Sequence, residues 1–453
     1  MALAERKRSL MRSIFILIAF MAPPGAAFTQ PTMSSAPLTL TLEQAIDLAM
    51  KENIDVALAE LDLRAFQSRY REVVGAAIPN LALTGSYTRN FKKPVAFFGG
   101  RKTEIGELNS MQGGVELEQT IYSGGKLMAG LNASRLRVAS GQDSLRAARE
   151  EVTLAVKRIF YSVLLASATA SIQEDNLRSA EEHLATIRER YRQGLDSDLT
   201  VLRQEVELAN AKPSLIQARN LFELGLTLLK DVLGLDVDYP VILEGRLDIQ
   251  GANPPLYESL VKVALERNPD YQAARKRAEA AFQLVRVAAG DYQPQLSLFA
   301  NYLWTAQSPD ISPGPEESAR SSAGGLRLSF PFFTGGETLE RVRQAKIDRQ
   351  RAQEAMRKAE RAVRVEVKRQ WLTLREAQER AVSQEAAIGQ ARRALEATEV
   401  RYKAGQASQL ELNDATLAFN RARIFHAQAL HDDLAALAAL ERAVGIKFEE
   451  VNP

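Results

Sequence analysis

The chain has 453 residues, a quarter of them charged, and a formal net charge of +2 at pH 7. So even a balance does not fit a nucleic-acid binder driven by a basic surface. There is no cysteine, which excludes disulfides, cysteine-ligated zinc, thiol nucleophiles and lipid attachment through an amino-terminal cysteine.

The first element is an export signal. Arg6, Lys7, Arg8 and Arg12 make a basic start, Ile14 to Met21 an apolar run, and Gly25, Ala26 and Ala27 supply small residues for cleavage after Ala27. The apolar run falls well short of the ~20 residues of a spanning helix. No later stretch holds 18 consecutive apolar residues, so no helix is expected to cross a membrane. The signal is assigned to residues 1–27.

After it the chain is written twice. Ala49, Glu52, Asn53, Gly75, Pro79, Leu81, Leu83 and Tyr87 return as Ala264, Arg267, Asn268, Gly290, Pro294, Leu296, Leu298 and Tyr302. Gly124-Gly125, Val156-Lys157-Arg158, Arg190-Tyr191, Gly194 and Gly234 return as Gly335-Gly336, Val367-Lys368-Arg369, Arg401-Tyr402, Gly405 and Gly445. The spacing changes only in the loop after Tyr87, where insertions are tolerated. The repeats are expected at 38–233 and 256–445, joined by a link at 234–255 that is placed at mid-tube, with a tail at 446–453. Each reads helix, helix, strand, loop, strand, long helix, turn, helix.

Strands are predicted at about 81–91, 114–122, 295–305 and 324–332. Leu81, Leu83, Tyr87 and Phe91 alternate with Ala82, Thr84, Ser86, Thr88 and Asn90, and the other segments alternate likewise, Val115, Leu117 and Ile121 opposing Glu116, Glu118 and Thr120. About ten residues is the length of a tilted membrane strand. Glu116, Glu118 and Arg327 on the polar faces suit a water-filled lumen. Tyr87, Tyr122, Tyr302, Trp304 and Phe333 suit the membrane interfaces. The local pattern fits a soluble, half-buried sheet equally well. Four strands cannot close a spanning barrel alone, because bare sheet edges in lipid cost several kcal/mol per unpaired group. Spanning therefore requires oligomerisation, with two, three or four subunits all permitted. The long polar loops Phe91–Gln112 and Ala306–Ser322 fit the outer face.

Helix formers run without proline from Lys126 to Arg192 and from Glu337 to Lys403. At 1.5 Å per residue each makes a rod of roughly 100 Å, far beyond the usual length. Scattered alanines such as Ala129, Ala133, Ala345 and Ala352 favour a sheet of closely packed helices over a two-stranded zipper. Each rod ends at a glycine, Gly194 or Gly405, followed by a capping Ser197 or Ser408. Return helices are expected at about 198–232, kinked at Pro213, and 408–444. Helices 42–52 and 54–78, with their later copies, complete the tube end to end with the returns. The histidines His183, His426 and His431 lack metal-ligand spacing, and no phosphate loop, nucleophile elbow or dinucleotide fingerprint is found. No enzyme activity and no cofactor are expected.

The duplicated halves, the strand pairs ending in Tyr122-Ser123-Gly124-Gly125 and Phe333-Thr334-Gly335-Gly336, and the Tyr-x-x-Gly tips at Tyr191 and Tyr402 resemble the TolC-like outer-membrane efflux proteins over the whole mature chain. The resemblance implies a mainly α fold with a small transmembrane β part: a homotrimer with a twelve-stranded barrel in outer-membrane lipid and a periplasmic α-barrel. It implies docking to a periplasmic adaptor protein and an inner-membrane pump of RND, ABC or MFS type, for efflux or type I secretion. It assigns adaptor contacts to Gly194, Leu195, Ser197, Gly405 and Ser408, and an iris-like gate to Tyr402, Glu411 and Asp414. Glu411 and Asp414, three apart, share a helix face; six carboxylates from three subunits around one opening would attract cations. Ala407 and Thr200 stand where well-known members carry a gate arginine and aspartate, so less ionic contacts are expected to hold the gate. The alternative is a periplasmic adaptor with helical hairpins and no pore of its own.

Overall fold

In the computed structural model the described residues are 38–248 and 255–448. The export signal and residues 249–254 of the expected link lie outside them. The elements are β1 (Leu38–Leu40), α1 (Leu42–Glu52), α2 (Ile54–Gly75), β2 (Asn80–Arg89), β3 (Val95–Phe98), β4 (Arg101–Glu104), β5 (Asn109–Ser123), α3 (Lys126–Arg192), α4 (Asp198–Leu233), β6 (Val241–Leu243), α5 (Tyr257–Arg267), α6 (Pro269–Ala289), β7 (Gln295–Ser308), β8 (Ser318–Ser329), α7 (Glu337–Lys403) and α8 (Gln409–Val444).

The helices lie side by side as a strip. α3 packs against α2 and α4 on one flank and α6 and α8 on the other, and α7 closes the far edge against α6 and α8. Each long rod is thus one column; α2 shares a column with the return helix α4 and α6 with α8, whereas α1 packs beside α3 and α4, and α5 beside α7 and α8, rather than end to end with the returns as expected. Asn53 and Asn268 make those columns continuous. The Asn53 Oδ1 caps α2 by accepting from the Asp55 and Val56 amides at 2.9 and 3.3 Å, while its Nδ2 donates to the Val232 carbonyl of α4 at 2.9 Å. Asn268 does the same for α6 and α8, accepting from the Tyr271 amide at 3.1 Å and donating to the Ala443 carbonyl at 3.1 Å. One amide therefore satisfies a donor orphaned at a helix start and an acceptor orphaned at a helix end. The returning chain leaves through Gly234 and Gly445, both at positive φ; a Cβ on Gly234 would lie 2.7 Å from the Glu52 carbonyl oxygen.

An apolar core lies beside this second junction: Leu260, Val261 and Ala264 of α5, Val363, Val367, Leu374 and Ala377 of α7, and Ala436, Leu437, Leu440 and Val444 of α8. Pro213 lies inside α4, which continues to Leu233. The link contains β6, whose following residue Glu244 donates its amide to the Leu40 carbonyl at 2.9 Å.

The strands β2, β5, β7 and β8 form one antiparallel sheet in that order. Three of them run further towards the loops than the alternation alone indicates: β5 starts at Asn109, β7 reaches Ser308 and β8 starts at Ser318, whereas β2 ends at Arg89, short of the expected 91. β8 stops at Ser329, because Phe330 to Phe333 contain Pro331, which donates no ladder bond. A bulge between Thr120 and Tyr122 brings Tyr122 opposite Leu296. Ile121 is thereby the extra residue and Tyr122 takes the apolar face instead, the one shift in the alternation of β5. The predicted first loop also holds a hairpin, β3 with β4, turned by Gly99 and Gly100 at φ 56° and 79°.

Candidate functional site

The sheet sorts its residues by chemistry. The register aligns Leu83, Val115, Tyr302 and Ser322 in one row and Leu81, Leu117, Ala300 and Gly324 in the next. This face is mostly apolar and open, Leu81 being 67 %, Leu83 84 %, Leu326 63 % and Leu328 69 % exposed, with Gln119 opposite Leu298 and Arg320 opposite Trp304 as its polar members. The opposite face carries Glu116 in register with Ala82 and Asn301, Glu118 with Asn80 and Phe299, and Arg327 with Ser297. All three charged side chains are exposed, and the Arg327 guanidinium rests over the Phe299 ring at 4.9 Å. Both β2 and β8 have one unpaired edge among the described residues. An apolar face of that extent needs a nonaqueous neighbour, and two bare edges need partners.

At the other end of the rods lie the two turns. Gly194 and Gly405 both stand at φ 73°. Each closes a helix stop in which the next amide reaches back: Leu195 to the Arg190 carbonyl at 2.9 Å, Gln406 to the Arg401 carbonyl at 2.8 Å. Ser197 and Ser408 cap the return helices by accepting from the Thr200 and Glu411 amides, each at 3.3 Å. Val201 and Leu412, one residue further on, are buried and anchor the returns. Gly194, Leu195, Ser197, Gly405 and Ser408 are all exposed, Leu195 by 62 %.

The side chains of the two tips differ. Arg190 holds Asp196 at 2.8 Å and lies over the Tyr402 ring at 5.9 Å, tying the first tip to the second. The counterpart of Asp196 is Ala407, so Arg401 has no carboxylate in that place. It donates to the Gln406 carbonyl at 3.2 Å and stands 3.8 Å from Glu411. Tyr402 is half-buried, and burial, then Asp196, push its phenol above the usual value while Arg190 opposes them. Glu411 and Asp414 are both exposed; Glu411 sits in the first turn of α8, where the helix dipole favours a carboxylate. A second tie is Gln409, whose amide donates to the buried Gln204 of α4 at 3.3 Å. Arg190, Asp196, Gln204 and Gln409 were not singled out as site residues by sequence reasoning. Arg190 was flagged only as a repeat match, and the Asp196/Ala407 difference within the repeat was the available signal.

Comparison with known proteins agrees with this geometry. The model of the outer membrane efflux protein family matches residues 45–235 and 260–446. The chain belongs to the outer membrane efflux protein family. The TolC outer membrane protein of Vibrio cholerae is 20 % identical over 83 % of this chain and 84 % of its own. The alkaline protease secretion protein AprF of Pseudomonas aeruginosa is 23 % identical over 68 % of this chain and 64 % of its own. The solved structure of VceC, an outer membrane protein of Vibrio cholerae, superposes with a TM-score of 0.75 at 21 % identity, covering 90 % of this chain and 96 % of that one. Other solved structures of the same fold are outer membrane channels. This efflux protein is thus an outer-membrane protein, with the family's fold of long periplasmic helices and a small sheet.

Proposed function

We propose that three copies of this efflux protein close into one duct, a twelve-stranded barrel through the outer membrane continued by a helical tube, and that it serves passively as the exit of a three-component system. The observation that carries this reading is the four-stranded sheet with an open apolar face and two bare edges. Bare edges do not persist in lipid, so β2 of one subunit pairs with β8 of the next. The helical strip supports the same join. Its edges are apolar: Leu202, Val206, Ile216 and Leu224 stand out from α4, and Val365, Leu372 and Val382 from α7. They are also opposite in charge. α7 carries seventeen Lys and Arg against eleven Asp and Glu, whereas α4 and α2 together carry seven against nine. Complementary, unlike edges make a head-to-tail contact that closes into a ring.

In this duct Glu116, Glu118 and Arg327 face the barrel lumen. The turns bearing Gly194, Leu195, Ser197, Gly405 and Ser408 receive a periplasmic adaptor, itself joined to an inner-membrane pump of RND, ABC or MFS type. Tyr402, Glu411 and Asp414 line an iris at the periplasmic mouth, relaxed when the adaptor binds. Membership of the outer membrane efflux protein family favours efflux of small molecules; secretion of a protein is the second cargo class, suggested by the similarity to the alkaline protease secretion protein AprF. No motif of the chain supplies energy, which comes from the pump.

The test uses the absence of native cysteine. One cysteine in the free edge of β2 and one in that of β8, bridged by a short bifunctional thiol reagent, should give a ladder that ends at three subunits. Single-channel recordings should show a cation preference that falls when Glu411 and Asp414 are both changed to alanine. A soluble monomer that neither cross-links nor conducts would return the protein to the adaptor alternative.

A further inference from the structure

The two loops beyond the sheet carry opposite charge. Between Asn90 and Leu108 stand Lys92, Lys93, Arg101 and Lys102 against Glu104 and Glu107. Between Pro309 and Glu317 stand Asp310, Glu316 and Glu317 with no Lys or Arg. Only the first loop carries aromatic rings. Phe91 is 95 %, Phe97 71 % and Phe98 65 % exposed, on or beside the β3–β4 hairpin. Its register sets Phe97 opposite Lys102 and Phe98 opposite Arg101, so each ring stands beside a cation. Lys93 is paired with Glu107 at 2.9 Å. Lys92, Arg101 and Lys102 have no ion pair or hydrogen-bonded side-chain partner among the described residues. A tight two-glycine turn holding aromatic rings and unpaired cations at its tip has no packing role in the subunit.

We propose that this hairpin binds the phosphorylated headgroups of the outer leaflet, with Phe97 and Phe98 in the acyl boundary and Arg101 and Lys102 on phosphate. The inference rests on the membrane-spanning reading above, which puts this end of the sheet outside the cell. Rings seated at a membrane interface beside cations are the chemistry of an anionic lipid surface. Arginine donates two parallel hydrogen bonds to phosphate oxygens, and lysine contributes a point charge. The hairpin thereby fixes the depth and rotation of each barrel in its lipid, which the acidic second loop does not.

The experiment places a single cysteine at Phe97 or, for comparison, at Ile311 of the acidic loop, in the full-length protein. Each is labelled with an environment-sensitive fluorophore. The protein is reconstituted into phosphatidylcholine vesicles containing spin-labelled lipid, with or without a diphosphorylated glycolipid of the lipid A type. Quenching at position 97 should exceed that at 311 by about threefold in the glycolipid vesicles and fall in phosphatidylcholine alone. The double change Arg101→Glu and Lys102→Glu should remove most of the difference. Equal, weak quenching at both positions would overturn the proposal. So would a position-97 signal that ignores glycolipid and responds instead to Asp310→Lys with Glu316→Lys, which would assign the hairpin to the acidic loop. Co-flotation of the protein with vesicles separates the two readings. If it floats and conducts but the label stays in water, only the hairpin proposal fails. If it does not float, the barrel reading fails with it.

Discussion

The rods α3 and α7 are the same length and the same repeat element, yet they live in different places. α3 runs down the middle of the strip and buries sixteen residues; α7 lies at its edge and buries eight. Near the centre of each rod the pairs match: Val156 and Val367 are fully buried, and so are Val163 and Leu374. Towards the tip they diverge, with Ile187 buried where α7 has the partly exposed Thr398. Duplication supplied one fold twice, and position in the strip then rewrote the surface. The central rod kept apolar contacts on two flanks within the subunit, and the edge rod kept one and set arginine and glutamate among the exposed Val365, Leu372 and Val382 of the other.

The sharpest way to break this comparison is Phe160 against Trp371, which occupy equivalent positions. Phe160 is 2 % exposed. Phe160→Ala should cost about 3–5 kcal/mol through lost transfer energy and the cavity left behind. Trp371 is only partly buried; it donates to the Pro255 carbonyl at 3.2 Å and lies under Lys368 and Arg375. Trp371→Ala should cost about half as much. Denaturant unfolding of the two variants reads the difference, and equal losses would deny that the rods are packed unequally.

Next comes Glu150 on α3, whose counterpart on α7 is the exposed Arg361. Burial pushes the Glu150 carboxyl up to about 7, against the pull of Arg442 and Arg146. Arg442 does not prevent this because its charge is already shared: it holds Asp270 at 2.8 Å and Glu151 at 3.3 Å, and reaches Glu150 only at 3.6 Å. A carboxyl whose folded pKa is raised binds its proton more tightly when folded. Its contribution to stability is complete below the unfolded value of 4.5 and is lost as pH rises through about 7. Glu150→Gln should therefore raise stability at pH 8 by on the order of 2 kcal/mol and leave it little changed at pH 4. Thermal unfolding at the two pH values checks this; a variant with the parent's pH slope would exclude Glu150 as its source.

The helix junctions rank third. Asn268 is 4 % exposed, while Asn53 is half-buried. Asn268→Ala should lose about 2 kcal/mol and Asn53→Ala about 1. Aspartate at either place keeps the cap but cannot donate to the return helix, so it should recover only part. Full recovery by aspartate, measured by chemical unfolding, would show that the bridging bond contributes nothing.

These positions also mark what the sequence disclosed. Glycine, proline and aromatic matches at fixed spacing made the duplication legible, and period two gave the strands, because each reflects a local backbone demand. The bulge at Ile121 and the β3–β4 hairpin were missed: a bulge adds one residue without changing local composition, and the hairpin sits in a loop where composition reads only as irregular. Asn53 and Asn268 were visible as repeat signatures, but their bridging role depends on a partner 179 and 175 residues away. The tips were legible as turns through Gly194 and Gly405, since a helix stop needs positive φ. The Arg190–Tyr402 contact was not, because it joins the two repeats and no spacing within either one encodes it.

That contact gives the smallest effect on stability and the most informative one on function. Arg190 and Arg401 are equivalent in sequence, but only Arg190 has a close carboxylate and a ring belonging to the other tip. Both are partly solvated, so removing either should cost under about 1 kcal/mol. If the tips hold the mouth closed, Arg190→Ala should lengthen the open time of reconstituted single channels, whereas Arg401→Ala should leave it near the parent. Arg190→Lys keeps the charge facing Asp196 but loses the planar group over Tyr402, and should fall between them. Ala407→Asp supplies the carboxylate that the second tip lacks, and should draw Arg401 into the arrangement seen at Arg190. Equal responses from the two arginines would mean that the asymmetry of the tips has no part in closing the duct, and that the division of labour between the repeats ends at the edge of the strip.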